Sequence, residues 1–136
     1  MAEIQTKPTG ADVDAFLATI PQPRRGQAQA VRELMTRVTG QPAVMWGPAI
    51  IGFGTARYQA KTVSGDMPIV GLSPRKAALT LYGVYEAEVN PDEPVLDELG
   101  PHTTSRWCLY LKSLDGVDQY VLERLVRAAW ERAGTS

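Results

Sequence analysis

Residues 44–85 read VMWGPAIIGFGTARYQAKTVSGDMPIVGLSPRKAALTLYGVY, and this stretch decides the fold class. Glycines separate short runs rich in Val, Ile, Leu, Tyr and Phe, which is typical of successive β-strands. The turn between the third and fourth strands is predicted at Ser64-Gly65-Asp66. Because connections this short cannot hold the crossovers of parallel strands, we predict antiparallel pairing. The predicted strands are 44–46, 50–54, 56–62, 67–72 and 78–84.

Two helices are predicted before this stretch. Thr9 and Asp12 resemble a capping box ahead of a short amphipathic helix, which ends before Pro21. A second helical pattern runs over residues 28–38, and Gly40 stands where a helix commonly ends. The chain therefore opens with a pair of helices.

Three further elements are predicted after the strand-rich stretch. Asn90 and Pro91 suit the first positions of a short acidic helix that stops at Gly100. Residues 107–111 form an apolar run of strand length, and a final amphipathic helix starts within residues 115–118. The order of elements predicts an α+β fold with a mostly antiparallel sheet of five to six strands. Two N-terminal helices and one C-terminal helix are expected to cover one face of it.

The composition limits the size and the chemistry of the protein. A chain of 136 residues fits one domain, which we assign to residues 1–136 with a core at about 9–133. One Cys and one His supply neither a disulfide nor a zinc site of the usual type, and no cofactor is predicted. A net charge of −1 gives no general attraction to nucleic acid or to anionic lipid. With no signal peptide and no apolar run of membrane length, we expect a cytoplasmic protein.

The near-neutral total conceals two oppositely charged segments. Residues 43–85 carry a net charge of +3, and residues 86–101 carry −6 with no basic residue. The basic segment includes the turn Ser73-Pro74-Arg75-Lys76, which offers a hydroxyl, a planar guanidinium and an ammonium group to an anion. The alternative is that Arg75 and Lys76 belong to a solvated turn that protects a strand edge.

Six short motifs together resemble the YdhG-like family of small bacterial domains. The resemblance covers residues 5–130, and it implies a compact α+β domain without assigning a reaction. A related branch is described as frataxin-like intracellular iron chaperones. The chain departs from the family pattern at residues 100–107, GPHTTSRW, where relatives carry a basic loop. The motifs are Met45-Trp46-Gly47-Pro48, Ile51-Gly52-Phe53-Gly54, Leu72-Ser73-Pro74-Arg75-Lys76, Leu81-Tyr82, Leu99-Gly100 and Cys108-Leu109-Tyr110-Leu111.

The leading functional prediction is a non-enzymatic binding domain with a cleft near the Ser-Pro-Arg-Lys turn. Its ligand is expected to be a small anion or an acidic segment of a protein partner, held by charge-assisted hydrogen bonds among water-excluding aromatic rings. For the aromatic residues, packing in the core is the favoured alternative. The protein is expected to be a monomer or a homodimer. The predicted ligand-binding residues are Trp46, Phe53, Tyr58, Ser73, Arg75, Lys76 and Tyr82.

Two other function classes stay open at this point. A frataxin-like iron chaperone would use the carboxylates of residues 86–98, although acidic residues also suit the first turn of a solvated helix. An enzyme would be built on Cys108 and His102, although Cys108 stands in an apolar run typical of a buried thiol.

Overall fold

Helices and strands follow one another around one main antiparallel sheet. The structure, a computed structural model, describes residues 2–3, 9–59, 63–85, 96–105 and 107–135. In chain order the elements are β1 (Ala2–Glu3), α1 (Val13–Ala18), α2 (Arg24–Thr39), β2 (Val44–Trp46), β3 (Ile50–Phe53), β4 (Ala56–Gln59), β5 (Val63–Met67), β6 (Val70–Pro74), β7 (Leu79–Tyr82), α3 (Leu96–Leu99), β8 (Thr103–Thr104), β9 (Cys108–Leu111) and α4 (Gln119–Thr135).

The main sheet has six strands in the order β2-β3-β6-β7-β9-β8, and every neighbouring pair is antiparallel. The predicted α+β class and antiparallel sheet are therefore confirmed. A second, three-stranded sheet has the order β1-β5-β4, in which β1 runs parallel to β5. No helix among the described residues is long and apolar enough to cross a membrane.

One face of the main sheet forms the hydrophobic core with the helices. Leu72 and Leu81 are register partners in the central strand pair, and each has a further apolar partner on its outer side. Since side chains alternate between faces along a strand, Phe53 lies on this same face. The helices α2 and α4 contribute buried apolar side chains to the same cluster. The row of register partners across the sheet is Met45, Ile51, Leu72, Leu81 and Leu109.

The opposite face of the main sheet, which we call the second face, carries the residues that alternate along each strand with those of the core. Gly52 and Gly71 are register partners there, and the indole of Trp46 lies over Gly52. A Cβ atom at Gly52 would stand 2.5 Å from Cδ1 of Trp46 and 2.6 Å from Cβ of Pro68. Trp46 is consequently only 1% exposed, although it does not belong to the core cluster on the helix side.

The predicted turn at Ser64-Gly65-Asp66 is wrong. These residues lie inside β5, where Gly65 pairs with Tyr58 and Asp66 pairs with Arg57. The connection between β4 and β5 falls at residues 60–62, outside the described residues. Ser, Gly and Asp favour turns, but here cross-strand pairing with β4 overrides that local preference.

The predicted strand 67–72 is two strands. β5 ends at Met67 and β6 begins at Val70, with Pro68 between them. Proline has no N–H to donate to a ladder, so it interrupts the strand, and the chain resumes pairing when the N–H of Ile69 donates to the carbonyl of Phe53 at 3.2 Å. The two-residue strands β1 and β8 carry too few residues for a pattern and were not predicted.

The predicted helices are present with shifted starts. Asp12, rather than Thr9, caps α1, because its Oδ1 accepts hydrogen bonds from the N–H groups of Asp14 and Ala15 at 2.8 and 3.2 Å. Gly40 ends α2 with a φ of 68°, as predicted. Asp118 caps α4 by accepting from the N–H of Tyr120 at 2.9 Å. Of the predicted acidic helix, the structure describes residues 96–99 only.

An ion-pair cluster joins α2 to α4. Glu123 Oε1 accepts a hydrogen bond from Arg37 at 2.8 Å, and its Oε2 accepts one from Arg127 at 3.3 Å. The hydrogen bond from Arg37 is the largest cause that lowers the pKa of Glu123, and the bond from Arg127 and both nearby charges lower it further, against a smaller opposing effect of desolvation. The carboxylate is thus more favoured in the folded chain than in the unfolded one.

We predict that this cluster contributes to acid sensitivity. Because the folded pKa of Glu123 is lowered, its stabilisation is complete above the ordinary carboxyl range and disappears as the pH falls through the folded pKa. Glu123→Gln should therefore make the free energy of unfolding fall less steeply over the acid range, measured by urea unfolding at a series of pH values. Glu131→Gln is the control, since Glu131 is exposed on the same helix and makes no ion pair with a described residue. Equal pH slopes for Glu123→Gln and the parent would contradict the prediction.

A second prediction concerns the glycine beneath Trp46. Gly52→Ala should lower the free energy of unfolding by about 1–3 kcal/mol, because the added methyl meets the Trp46 ring and Pro68 below 3 Å. Gly26→Ala is the control: it lies in the first turn of α2 with only the flexible Gln22 side chain nearby, and it should stabilise the protein by about 0.5–1 kcal/mol. Urea denaturation measures both, and a neutral Gly52→Ala would show that Trp46 is not packed against β3.

Candidate functional site

The candidate site lies where β6 turns into β7. Residues 75–78 connect the two strands, and the N–H of Arg75 donates to the carbonyl of Ser73 at 2.9 Å. The guanidinium of Arg75 turns back over the second face, where its Nε and Nη2 atoms donate to the hydroxyl oxygen of Tyr82 at 3.3 and 3.0 Å. Arg75 is exposed, and Tyr82 is half-buried.

Two buried hydroxyl groups lie beneath this contact. Ser73 and Thr80 are register partners on the second face, and they are 1% and 2% exposed. Arg75 follows Ser73 by two positions and Tyr82 follows Thr80 by two, so in an antiparallel pair the two residues stand on opposite sides of the hydroxyls. The bond from Arg75 to Tyr82 therefore crosses above them. We call Ser73, Arg75, Thr80 and Tyr82 the Arg75 site.

The hydroxyls of the Arg75 site are poorly satisfied. Oγ of Ser73 has no hydrogen-bond partner among the described residues, and Oγ1 of Thr80 donates to the carbonyl of Ala78 at a long 3.4 Å. Buried polar groups are nearly always hydrogen-bonded, and leaving one unsatisfied costs about 1–3 kcal/mol. An unpaired hydroxyl at this depth is a feature of the site that needs an explanation.

The positive charges at this turn also have no carboxylate partner in the part of the chain that the structure describes. Four other arginines lie against carboxylates: Arg32, Arg37, Arg124 and Arg127. Within the described ranges, neither Arg75 nor the exposed Lys76 beside it forms an ion pair. Two unneutralised positive charges at one turn are the electrostatic requirement for holding an anion.

The structure brings together only part of the predicted cleft. Ser73, Arg75 and Tyr82 are neighbours, and Lys76 is next to them in the turn. Trp46 lies on the same face but two strands away from β6, roughly 10 Å at the usual strand spacing. It is nearly inaccessible, as is Phe53, which packs on the helix-covered face as part of the core. The side chain of Tyr58 lies outside the described residues.

Two shallow clefts lie elsewhere on the surface. One of about 270 Å³ is lined by Pro42, Val44 and the edge of Trp46, beside the outer strand β2. Another of about 430 Å³ separates the start of α2 from residues 113–115. Sequence reasoning missed this second cleft, because it is formed by Gln, Pro, Gly, Ser and Asp residues that read as ordinary turn formers. Neither cleft includes a residue of the Arg75 site.

The structure places Cys108 and His102 apart along the strand pair β8–β9. The N–H of Ser105 donates to the carbonyl of Cys108 at 3.0 Å, so Ser105 is the residue opposite the thiol. His102 precedes Ser105 by three positions, roughly 10 Å along a strand, and its Nδ1 contacts the carbonyl of Gly100 at 2.8 Å. Cys108 is partly buried, and its register partner across the sheet is Tyr82.

The carboxylates considered for iron fall mostly outside the described residues. Glu86, Glu88, Asp92 and Glu93 belong to that part of the chain, whereas Asp97 and Glu98 are exposed on α3. Glu98 faces Arg124 of α4 at 3.8 Å. The described ranges contain no group of three or more His, Cys, Asp or Glu residues arranged to hold a metal ion. The iron-chaperone alternative therefore stays a prediction.

Comparison with known proteins does not add a family to this description. No family model, curated protein or solved structure matches the chain.

A prediction about the free energy of unfolding follows from the unpaired hydroxyl of Ser73. Ser73→Ala should leave the free energy of unfolding unchanged or raise it slightly, because the variant removes a buried polar group that has no partner. Thr39→Ala is the matched control, since the buried Thr39 hydroxyl donates to Met35 at 2.8 Å and accepts from Gln41 at 3.1 Å. That control should lose about 1 kcal/mol in urea unfolding. A larger loss in Ser73→Ala than in Thr39→Ala would show that Ser73 is bonded in solution.

Proposed function

We propose that this protein is a non-enzymatic binding domain that holds an anionic group at the turn between β6 and β7. The observation that supports the proposal concerns the described residues: among them the cations Arg75 and Lys76 form no ion pair, and the buried hydroxyl of Ser73 beside them has no hydrogen-bond partner. The anion belongs to a small ligand or to an acidic segment of a protein partner. The resemblance to the YdhG-like family is compatible with such a role and supplies no reaction.

The chemistry of the site suits an oxyanion. A guanidinium presents parallel N–H groups that match the oxygens of a carboxylate or a phosphate, and bonds of this kind are about twice as strong as those between neutral groups. Lys76 adds a mobile point charge at the rim. The hydroxyl of Tyr82 lies beside the exposed guanidinium and accepts hydrogen bonds from it at 3.3 and 3.0 Å.

The wider setting follows from the charge and the fold. A net charge of −1 provides no field for nucleic acid, so we propose a small molecule or a protein as the partner. We place the protein in the cytoplasm, as a monomer or a homodimer. A frataxin-like role remains the alternative, without a described carboxylate cluster to favour it over the Arg75 site.

The test compares two variants of equal charge. In Arg75→Ala/Lys76→Ala both cations of the site are removed, whereas Lys112→Ala/Arg124→Ala removes one Lys and one Arg from exposed positions elsewhere. Each protein is titrated calorimetrically with acetate, inorganic phosphate and a polyglutamate peptide. We expect at least one probe to bind the parent and the control and to lose at least tenfold in affinity for the site variant.

Two results would contradict the proposed function. Equal affinities of the two variants would show that any binding is a general charge effect. Absence of binding by the parent for all three probes at millimolar concentration would remove the site.

A further inference from the structure

We infer that the hydrogen bond between Arg75 and Tyr82 acts as a latch that closes a small oxyanion site. This inference rests on the proposed function. In the latched state the two hydroxyls of Ser73 and Thr80 are covered, and in the open state they and the freed guanidinium bind one anion together. The ligand is then a free carboxylate or phosphate group rather than an acidic segment of a protein.

The first step of the argument is that Tyr82 occupies the anion-binding edge of Arg75. Nε and Nη2 form one of the two sides on which a guanidinium binds two oxygens of an anion. Both atoms here donate to the single hydroxyl oxygen of Tyr82, at 3.3 and 3.0 Å. The phenol thus fills the place of an anion with one neutral oxygen, and a carboxylate or phosphate forms stronger bonds with the same two donors.

The second step is the position of the unused hydroxyl. Oγ of Ser73 is buried without a partner, and the contact between Arg75 and Tyr82 crosses above it. An anion that merely rested on the outside of Arg75 would leave this group unsatisfied. An anion that replaces Tyr82 as the partner of Arg75 can enter the space above Ser73 and accept a hydrogen bond from its hydroxyl, which satisfies the buried donor.

The third step concerns size. The side chains of Ser73 and Thr80 stand directly opposite each other, about 5 Å apart at Cβ in a paired strand. That separation matches one carboxylate or one phosphate bridging two hydroxyls. A polypeptide segment with several carboxylates would need a groove here, and neither of the two clefts found on the described surface includes these residues.

The latch predicts that removal of the Tyr82 hydroxyl increases the affinity of the protein for the anion. Since ligand binding must break the bond to Tyr82, Tyr82→Phe should bind the anion about threefold to tenfold more tightly, corresponding to the loss of one hydrogen bond. Tyr110→Phe is the matched control: Tyr110 is on the same face of the next strand, and its hydroxyl is bonded to Ser105 at 3.0 Å and not to Arg75. This control should bind as the parent does.

The experiment is a calorimetric titration of each variant with acetate and, separately, with inorganic phosphate, which distinguishes the two kinds of oxyanion. Ser73→Ala is included as a second variant and should weaken binding about fivefold or more, because its hydroxyl donates to the anion only in the open state. Chemical-shift changes of the amide groups of residues 73–82 report whether the probe binds at this turn.

The outcomes separate the latch from the proposed function. Tighter binding in Tyr82→Phe with weaker binding in Ser73→Ala supports the latch. Unchanged or weaker binding in Tyr82→Phe, with binding still lost in Arg75→Ala/Lys76→Ala, overturns the latch and leaves the proposed function in place. If only polyglutamate binds, the anion is a protein segment and the inference is wrong. If no probe binds the parent or Tyr82→Phe, both the inference and the proposed function fall.

Discussion

Leu72 and Leu81 face each other in the central strand pair, and their burial fixes the register of the whole sheet. A slip of one residue between β6 and β7 would turn every side chain of one strand to the opposite face. Leu72 would then leave the core for the second face and Ser73 would enter the core, which costs the packing of Leu72 against its apolar neighbours and places a hydroxyl among them. The same pairing places Ser73 opposite Thr80, so the geometry of the Arg75 site is a consequence of how the core packs.

Side chains fill the second face more completely at the β2 side than at the β7 and β9 side, and this difference determines where a site can form. On the β2 side, Trp46 and Pro68 both lie against Gly52, so that part of the face is filled. On the β7 and β9 side, Tyr82 and Tyr110 are only partly buried. A glycine at position 52 is required for the first arrangement, because a larger side chain would push the indole away from the sheet. The large ring thus seals one half of the face while the other half keeps polar groups near solvent.

Apolar residues alternate with small or polar ones along β6 and β7, and this period of two marks which side chains face the core, although the sequence analysis ended the strand at residue 72 and assigned Ser73 to the turn. Leu72 and Leu81 alternate with Ser73 and Thr80, whereas in β3 both Ile51 and its neighbour Ile50 are apolar. Where neighbouring residues are both apolar, hydrophobic periodicity does not show which of them faces the core. Phe53 and Trp46 therefore could not be assigned to opposite faces from the sequence. The class of fold follows from short apolar runs between glycines, but turn positions follow from cross-strand pairing, which a single sequence does not display. For the same reason Ser64-Gly65-Asp66 resembled a turn.

The distribution of ion pairs explains how a nearly neutral chain retains positive charge at one turn. The acidic segment 86–101 and the basic segment 43–85 would cancel if they packed against each other. Where the structure describes that acidic segment, Glu98 instead faces Arg124, and Glu123 within α4 binds Arg37 of α2. These acids are therefore engaged on the helical side of the sheet. Since the sheet separates these two carboxylates from the second face, neither of them neutralises Arg75 or Lys76.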